Sequence, residues 1–403
     1  MAKPVVAVLR TKPETVLEDY ARLLDLAGYQ DHLDRSAEVA LKINISWHHF
    51  YPACSTTPWQ LEGTILALQS AGLTDIVDVH NRTVVTIADL GDKYNKFGPV
   101  LLKYGIPIKY NFCPEDMTWI EYRPKARMAV LDRIFPEGIY LPDFFFGKNI
   151  VHLPTVKTHS YTVTTGAMKN AFGGLLSERR HWTHAVIHET VVDLLAIQQE
   201  IHTGLFAVMD GTFVGDGPGP RAMWVEEKDL ILASADQVAI DAVSAYLQGF
   251  EPLDLDFIRL AHERGLGIGD ISQIEIVGDV DPDEVRWRAR TGETFASRGQ
   301  KMIYHGPLKP FERMLLQSPI VPWSYAASRA YYDGFWYPFI GHKRVQEALD
   351  TKWGRLFANY GDMPAVTEPL YEPRTAAAAG LLGIAASALA HWRNTWLRWS
   401  ATS

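Results

Sequence analysis

Hydrophobic positions in the first part of the chain follow two periodicities. Short apolar runs at 5–9 and 38–45 are typical of buried strands, and the stretch 14–28 between them has apolar residues at helical spacing. A third strand is expected at 75–79 (DIVDV), after a segment that begins TTP at residue 56, where proline at the first helical position favours a helix start. Strands that alternate with helices at this rhythm predict βαβ units and a mostly parallel sheet.

The same patterns continue along the rest of the chain. We therefore predict an α/β fold, with a mostly parallel sheet and flanking helices, plus an aromatic-rich C-terminal extension and a terminal helix. The expected regions are 1–285 for the α/β domain, 286–365 for the aromatic and proline-rich extension with its helix, and 366–403 for the terminal helix. Further expected elements are helices at 92–104, 183–201, 236–247 and 343–359, and strands at 106–112, 149–153, 205–209, 230–233 and 274–277.

Composition narrows the class of protein. Hydrophobic residues make up 47% and charged residues 21% of the chain, which is globular composition with ample core. A net charge of −8 argues against general nucleic-acid binding. The two cysteines, Cys54 and Cys113, provide neither a disulfide framework nor a cysteine-ligated iron–sulfur cluster from this chain alone. The N-terminal MAKPVVAVLR lacks the features of a signal peptide, so we expect a cytoplasmic protein.

The C-terminal segment leaves two alternatives open. Residues 376–390 form an apolar run that is shorter than the ~18–20 residues of a transmembrane helix. The sequence HWRNTWLRW follows, and its Trp and Arg residues are of the kind that lie at a bilayer interface. The segment is either a helix that docks on the protein or on a second copy in a homodimer, or a peripheral membrane contact.

The stretch 148–180 concentrates cationic and proton-exchanging groups. Its apolar strand runs into Pro154, which cannot continue a ladder of hydrogen bonds. We expect a polar loop to follow, carrying Lys157, His159 and Lys169 beside flexible glycines. Ligands of an open α/β sheet bind beyond the carboxyl ends of its strands, so this stretch predicts an anion site at that edge.

The predicted substrate-binding residues share a cationic or polar character and a place near strand ends or glycines. The lysines would hold phosphate or carboxylate together with neighbouring backbone N–H groups; the alternative is ordinary surface charges and turn residues. The set is Lys42, Asn44, Lys157, Lys169, Asn170, Gly173, Gly174, Arg180 and Asp216.

Three residues are predicted to be catalytic. His159 and His184 are candidates for a general acid or base because the ordinary pKa of histidine lies near neutrality. Asp210 ends a buried strand and precedes a glycine, a position that suits a proton-handling or metal-binding carboxylate. The alternatives are histidines that only bond the loop and an aspartate that only forms a turn. The cofactor is unknown, and a divalent metal stays open.

Several segments together resemble the DUF362 family. They occur in the family's order over roughly residues 38–280, and the combination of KTH, MKN-x-x-GG and DG…GDGPGP is specific. The resemblance implies an α/β fold and, in many members, an added ferredoxin-like segment with paired Cys-x-x-Cys runs, which this chain lacks. It implies no agreed catalytic residues. The matching segments are LKINIS (41–46), STTP (55–58), LPTVKTH (153–159), TGAMKNAFGG (165–174), VMDGTFVGDGPGP (208–220), SADQVAIDAVSA (234–245) and GLGIGD (265–270).

The leading interpretation is an enzyme that acts on an anionic small molecule bearing phosphate or carboxylate. The aromatic tract at 323–337 and the terminal helix suggest an amphiphilic, lipid- or isoprenoid-like substrate. Two alternatives remain: a redox or metallocluster-related protein, and a non-catalytic, membrane-associated binding or assembly factor. Neither a GxGxxG turn nor a phosphate-binding Walker loop is present, so no nucleotide cofactor is indicated.

Overall fold

A computed structural model of the protein describes residues 3–81, 86–318 and 322–361. Contacts divide the chain into two units: among the described residues, one runs to Gly292 and also includes 344–361, and the other is 293–343. The expected region 286–365 stays a prediction; among its described residues, 344–361 are grouped with the first unit. The predicted terminal helix at 366–403 lies outside the described residues.

Twelve strands are formed by the described residues. They are β1 (Val5–Arg10), β2 (Val39–Ile43), β3 (Ile76–His80), β4 (Ile108–Tyr110), β5 (Trp119–Tyr122), β6 (Ile139–Pro142), β7 (Asn149–Leu153), β8 (Thr155–His159), β9 (Val163–Thr165), β10 (Gly204–Asp216), β11 (Trp224–Ser234) and β12 (Glu275–Gly278).

Helices follow most of these strands. The α-helices are α1 (Val16–Leu26), α2 (Tyr29–His32), α3 (Pro58–Ser70), α4 (Ala88–Tyr94), α5 (Phe97–Tyr104), α6 (Leu131–Ile134), α7 (Ala167–Leu175), α8 (Ile187–Ile201), α9 (Gln237–Leu247), α10 (Asp256–Glu263), α11 (Pro282–Val285), α12 (Phe295–Tyr304), α13 (Glu312–Leu316), α14 (Pro322–Arg329), α15 (His342–Leu349) and α16 (Lys352–Asn359). The 3₁₀ segments are Asp143–Phe145, Glu178–Val186, Pro252–Asp254, Ile271–Gln273 and Lys309–Phe311, and Ala330–Gly341 is π-helical. No helix of the described residues is long and apolar enough to cross a membrane.

The central sheet has the strand order β12-β1-β11-β10-β7-β2-β3-β4, with β8 pairing with β10 and β9. Strands β10, β7, β2, β3 and β4 are parallel to their neighbours in this series, as β1 is to β12. Strand β11 is antiparallel to both of its neighbours. The predicted α/β fold with a mostly parallel sheet is thus confirmed. Strands β5 and β6 form a separate antiparallel pair.

Both faces of the sheet are buried. Val6 and Val8 of β1 join the core cluster that includes residues of α7, α8 and α9. Ala7 and Leu9 alternate with them and are also 0% exposed, although their side chains point to the opposite face. Helices α1 and α3, which contact each other, also contact β1 and β10 respectively. A parallel sheet covered on both faces leaves its strand ends as the place where polar side chains can gather.

The chain after Pro154 differs from the prediction of a loop. Thr155–His159 is a strand, β8, because the carbonyl of Pro154 accepts a hydrogen bond from the backbone N–H of Asp210 at 3.0 Å. The proline ends the pairing of β7, and the chain then continues beside the distal half of β10, with Thr155 opposite Asp210. The structure also corrects the expectation for Gly173 and Gly174, which lie inside α7 instead of a flexible loop.

Two predicted helices are each divided. The helix expected at 92–104 is α4 and α5, with Lys96 between them at a φ of 61°. A residue at positive φ ends regular helical hydrogen bonding. The helix expected at 183–201 has a 3₁₀ beginning and becomes α-helical at Ile187.

Helix α3 begins at a capping box that also supports the buried Asp210. The Thr57 hydroxyl accepts from the backbone N–H of Gln60 at 3.3 Å, and the Gln60 side chain accepts from the Thr57 N–H at 3.2 Å. The same hydroxyl donates to Asp210 Oδ2 at 3.0 Å. Thr57 therefore connects a helix start to the middle of β10.

We expect Thr57→Ala to lower the free energy of unfolding by about 2–4 kcal/mol. The change removes an N-cap and leaves a buried carboxylate with one donor fewer. Thr57→Ser keeps the hydroxyl and should cost less than about 1 kcal/mol. Urea unfolding of both variants measures the difference, and equal losses would contradict the assigned role of the hydroxyl.

Candidate functional site

The carboxyl ends of neighbouring strands bring the predicted lysines together. Lys42 near the end of β2 lies opposite His152 of β7, and Lys157 and His159 lie on β8, which continues beyond β7. Lys169 is on the first turn of α7, directly after the β8–β9 hairpin. We call Lys42, Lys157, Lys169, His159, Arg180, His184 and Arg221 the cationic cluster.

Lys157 is held entirely by neutral acceptors. Its side chain is 2% exposed, and Nζ donates to Asn44 Oδ1 at 2.8 Å, the Cys54 carbonyl at 2.9 Å and Thr155 Oγ1 at 2.7 Å. These three bonds match the three hydrogens of an ammonium group. Burial lowers the pKa of Lys157 to about 8, although the neighbouring Cys54 opposes this shift.

Lys42 is equally buried and has a lower pKa. Its Nζ donates to the carbonyl of Ile43 at 2.6 Å, and its side chain is 2% exposed. Burial, assisted by the charge of Arg180, lowers the pKa of Lys42 to about 7, and Asp78 opposes this shift.

Lys169 and His159 form a pair that faces the other cations. Lys169 Nζ lies 3.1 Å from His159 Nε2. Loss of water around the ammonium, followed by the charges of Lys157, Arg180 and Arg221, lowers the pKa of Lys169 to about 7. Burial and the charge of Lys169 hold the pKa of His159 well below its usual range. Lys169 is partly exposed, whereas His159 is buried.

His184 joins the cluster from the 3₁₀ segment that follows α7. Its Nδ1 lies 3.1 Å from the carbonyl of His181, to which it donates. The neutral ring then carries its lone pair on Nε2, which is the form that accepts a proton. Burial, followed by the charge of Lys169, lowers the pKa of His184 to about 3.

Arg180 and Arg221 complete the cluster, and both are partly exposed. Arg221 was missing from the predicted set. It follows the GDGPGP loop, which β8 holds in place: Thr158 donates to the carbonyl of Gly217 at 2.9 Å and Ser160 donates to the carbonyl of Gly219 at 2.8 Å. Arg221 could have been found from the sequence, because it is a cationic residue that directly follows a glycine- and proline-rich loop.

The lysines of the cluster lack carboxylate partners. None of Lys42, Lys157 and Lys169 makes an ion pair with a carboxylate among the described residues; their bonds go to carbonyl, amide, hydroxyl and imidazole groups. Ammonium groups removed from water are normally paired with an acid. The arrangement therefore has an excess of positive charge that an anion would neutralise.

Nearby carboxylates are engaged elsewhere. Asp241 of α9 accepts from the backbone N–H groups of Ala167 and Met168 at 2.6 and 3.1 Å, and therefore occupies the N-terminus of α7. A Cβ on Gly166 would lie 2.0 Å from Asp241 Oδ1, so a side chain there would disrupt this contact. The predicted participation of backbone N–H groups in anion binding is not available at this helix start.

Asp210 lies in a network of donors. Tyr20, Thr57 and Trp59 donate to its Oδ2 at 2.7, 3.0 and 2.9 Å, and both the N–H and the hydroxyl of Thr212 donate to its Oδ1. Burial raises the pKa of Asp210, although these donors lower it. Asp210 is not among the groups that shift the pKa of the cluster's lysines. This geometry suits an acid that joins α1, α3 and β10.

The remaining predicted residues support the cluster from outside. Asn44 accepts from Lys157, and Asn170 donates to the carbonyl of Lys42 at 2.6 Å. The carbonyls of Gly173 and Gly174 accept from Asn111. Asp216 is paired with Arg290, whose Nε lies 2.9 Å from Oδ2.

A second charged group at the end of β3 was not predicted. His80 Nε2 bonds to Asp78, and Nδ1 lies 3.0 Å from Asp92 Oδ1. All three side chains are buried. Burial alone would lower the pKa of His80, but Asp92 and Asp78 outweigh it and raise the pKa to about 10. The Asp-Val-His alternation places Asp78 and His80 on one face of the strand, whereas Asp92 arrives from α4.

Metal binding was left open by the sequence. The two nitrogens of His80 point to different carboxylates, so this group does not converge on one point. Within the described part of the first unit, no three His, Cys, Asp or Glu side chains converge as metal ligands.

The fold and the cluster define an α/β protein with buried or partly exposed cationic side chains at the carboxyl edge of its sheet, of which the three lysines make no ion pair among the described residues. The model of the family described as "Domain of unknown function (DUF362)" matches residues 39–246, which are about half of the chain and include every member of the cluster. The chain belongs to this family, as the sequence motifs predicted. Neither the curated proteins nor the solved structures contain a match.

We expect the His80 imidazole to remain protonated at pH 8. Its pKa is raised above the ordinary value, so the charged form persists until the pH approaches about 10. His152 provides a contrast within the molecule, since burial lowers its pKa to about 4 and keeps its ring neutral. NMR titration of the histidine rings tests both values. A His80 that titrates near pH 6.5 would contradict this assignment, and Asp92→Asn should lower its pKa.

Proposed function

We propose that this protein is an enzyme that binds an anionic small molecule, bearing phosphate or carboxylate, at the cationic cluster. The observation that carries the proposal is the absence of an ion pair for each of the three lysines among the described residues. A ligand with one or more negative charges would supply the missing counter-charge. It would also offset the repulsion that Lys169 experiences from Lys157, Arg180 and Arg221.

The residues divide into two roles in this proposal. Lys157 and Lys42 supply positive potential, because their hydrogen bonds to the protein fix them within the edge. Arg180, Arg221 and Lys169 are partly exposed and would contact the anion. Guanidinium groups suit this task because their forked N–H groups match carboxylate and phosphate oxygens.

Proton transfer is assigned to His184. Its Nε2 carries the lone pair in the neutral ring, as required of a general base. The pKa of about 3 reflects burial and the neighbouring charge of Lys169. A bound anion would counteract this charge and raise the pKa of His184 toward neutrality. Asp210 and His159 were also predicted to be catalytic. In this proposal Asp210 has a supporting role, and His159 holds Lys169.

An amphiphilic substrate and a peripheral membrane or homodimer contact stay predictions. The second unit exposes large aromatic side chains, including Phe295 at 83% and Phe339 at 73%. Exposed aromatic groups of this kind are frequent at surfaces that meet lipid or protein.

We expect inorganic pyrophosphate to bind the full-length protein, with an affinity that, once corrected for the ionisation of pyrophosphate itself, falls as the pH rises from 6 to 9. The pKa values of Lys42 and Lys169 are about 7 and that of Lys157 is about 8, so all three lose charge over this range. Isothermal titration calorimetry measures the affinity at each pH. Absence of binding at pH 6, or affinity that is constant with pH, would contradict the proposed site.

Variants that each remove one positive charge test whether pyrophosphate binds at the cationic cluster. Arg180→Gln and Arg221→Gln should each weaken pyrophosphate binding by roughly tenfold, the loss of one charge-assisted hydrogen bond. Arg259→Gln is the matched control, because Arg259 pairs with Asp256 and Glu263 on the surface of α10. Its affinity should equal that of the unaltered protein; equal losses in all three variants would indicate nonspecific attraction.

A further inference from the structure

The hydrogen bonds of His159 determine the protonation state of Lys169. The backbone N–H of Tyr161 donates to His159 Nδ1 at 3.1 Å, and the N–H of Thr162 points to the same atom at 3.4 Å. A ring nitrogen that accepts these bonds carries a lone pair instead of a proton. The neutral imidazole therefore carries its proton on Nε2.

This tautomer makes Lys169 the acceptor. His159 Nε2 is 3.1 Å from Lys169 Nζ, and with its proton on Nε2 the ring donates to the lysine. An ammonium group has no lone pair, so only the neutral amine can accept. A second proton on His159 would remove the Tyr161 bond and add a charge beside Lys157, His184 and Arg221.

The position of Lys169 suits a reaction with a ligand. Lys42 and Lys157 are each 2% exposed, whereas Lys169 is partly exposed on the first turn of α7. Its ammonium is also destabilised by the surrounding cations, in agreement with the tautomer argument. A desolvated lysine beside other cationic groups is the form in which an amine acts as a nucleophile.

We infer that Lys169 is the nucleophile of this site and forms an imine with an anionic carbonyl compound, such as a 2-oxo carboxylate or a phosphorylated aldehyde or ketone. The inference rests on the proposed anion site and specifies its substrate class. Arg180 and Arg221 would hold the anionic group, and the carbonyl carbon would face Lys169.

The step is balanced without any further reactant. The Nζ lone pair attacks the carbonyl carbon, a C–N bond forms, and the π electrons move to the oxygen, whose charge the neighbouring cations stabilise. A proton from the nitrogen passes to this oxygen and gives a carbinolamine. The C–O bond then breaks, and the oxygen leaves as water with the two hydrogens of the original amine.

Reductive trapping tests the inference. Full-length protein is incubated with glyoxylate and sodium cyanoborohydride at pH 7.5, and modified lysines are identified by peptide mass spectrometry. We expect Lys169 to be modified on the order of tenfold faster than exposed lysines, because more of it is the free amine at this pH. Modification spread evenly over exposed lysines would overturn the inference.

Two variants test the nucleophile assignment, and pyrophosphate binding of the unaltered protein tests the proposed function separately. Lys169→Arg replaces the amine with a guanidinium group and should lose the fast modification, whereas Lys93→Arg, on the exposed face of α4, should keep it. Fast modification that persists in Lys169→Arg would overturn the nucleophile assignment. Anion binding without modification would overturn this inference alone, whereas failure of both would also overturn the proposed function.

Discussion

Three lysine amino groups lie at one edge of the sheet, and none of them pairs with a carboxylate in the part of the chain that the structure describes. Removing an ammonium group from water carries a large free-energy cost, which proteins usually reduce by pairing the charge with an acid. In this protein, neutral hydrogen-bond acceptors reduce this cost. The pKa values of the three lysines are also lowered to about 7 or 8, so that each side chain can lose its charge near neutral pH. The protein thus tolerates an electrostatic arrangement that opposes its own stability, a property typical of functional sites.

The acids of the same region make no ion pair with these lysines among the described residues, although Asp78 acts to raise the pKa of Lys42. Asp241 satisfies the start of α7, and burial raises its pKa to about 7 although two backbone N–H groups oppose this shift. Asp210 and Asp216 are satisfied by hydroxyl, indole and guanidinium donors. Asp78 and Asp92 share His80. Each of these acids is therefore bound by groups other than the three lysines.

Much of the fold follows from local patterns in the sequence. Alternating strand and helix periodicities predicted the parallel sheet, and the TTP segment predicted the start of α3. The prediction that the lysines gather at one edge depends on the same pattern, because parallel strands end at a common edge. What could not be predicted depends on distant partners: β8 forms because β10 provides a neighbour after Pro154.

The same limit applies to the site. The Asp78–His80 alternation did not by itself reveal this charged group, since the other partner, Asp92, comes from α4. Gly173 and Gly174 resembled loop residues, yet α7 extends through them because it packs against α8 and β7. The protonation of Lys169 depends on the β8–β9 turn, whose backbone N–H groups bond His159.

The three bonds of Lys157 have a consequence for how this edge of the molecule is built. Their acceptors come from the end of β2, from the loop before α3 and from the start of β8. The ammonium is therefore satisfied only when all three segments have come together. Assembly of the edge and formation of the charged site are one cooperative event, and local opening of the loop before α3 would release both at once.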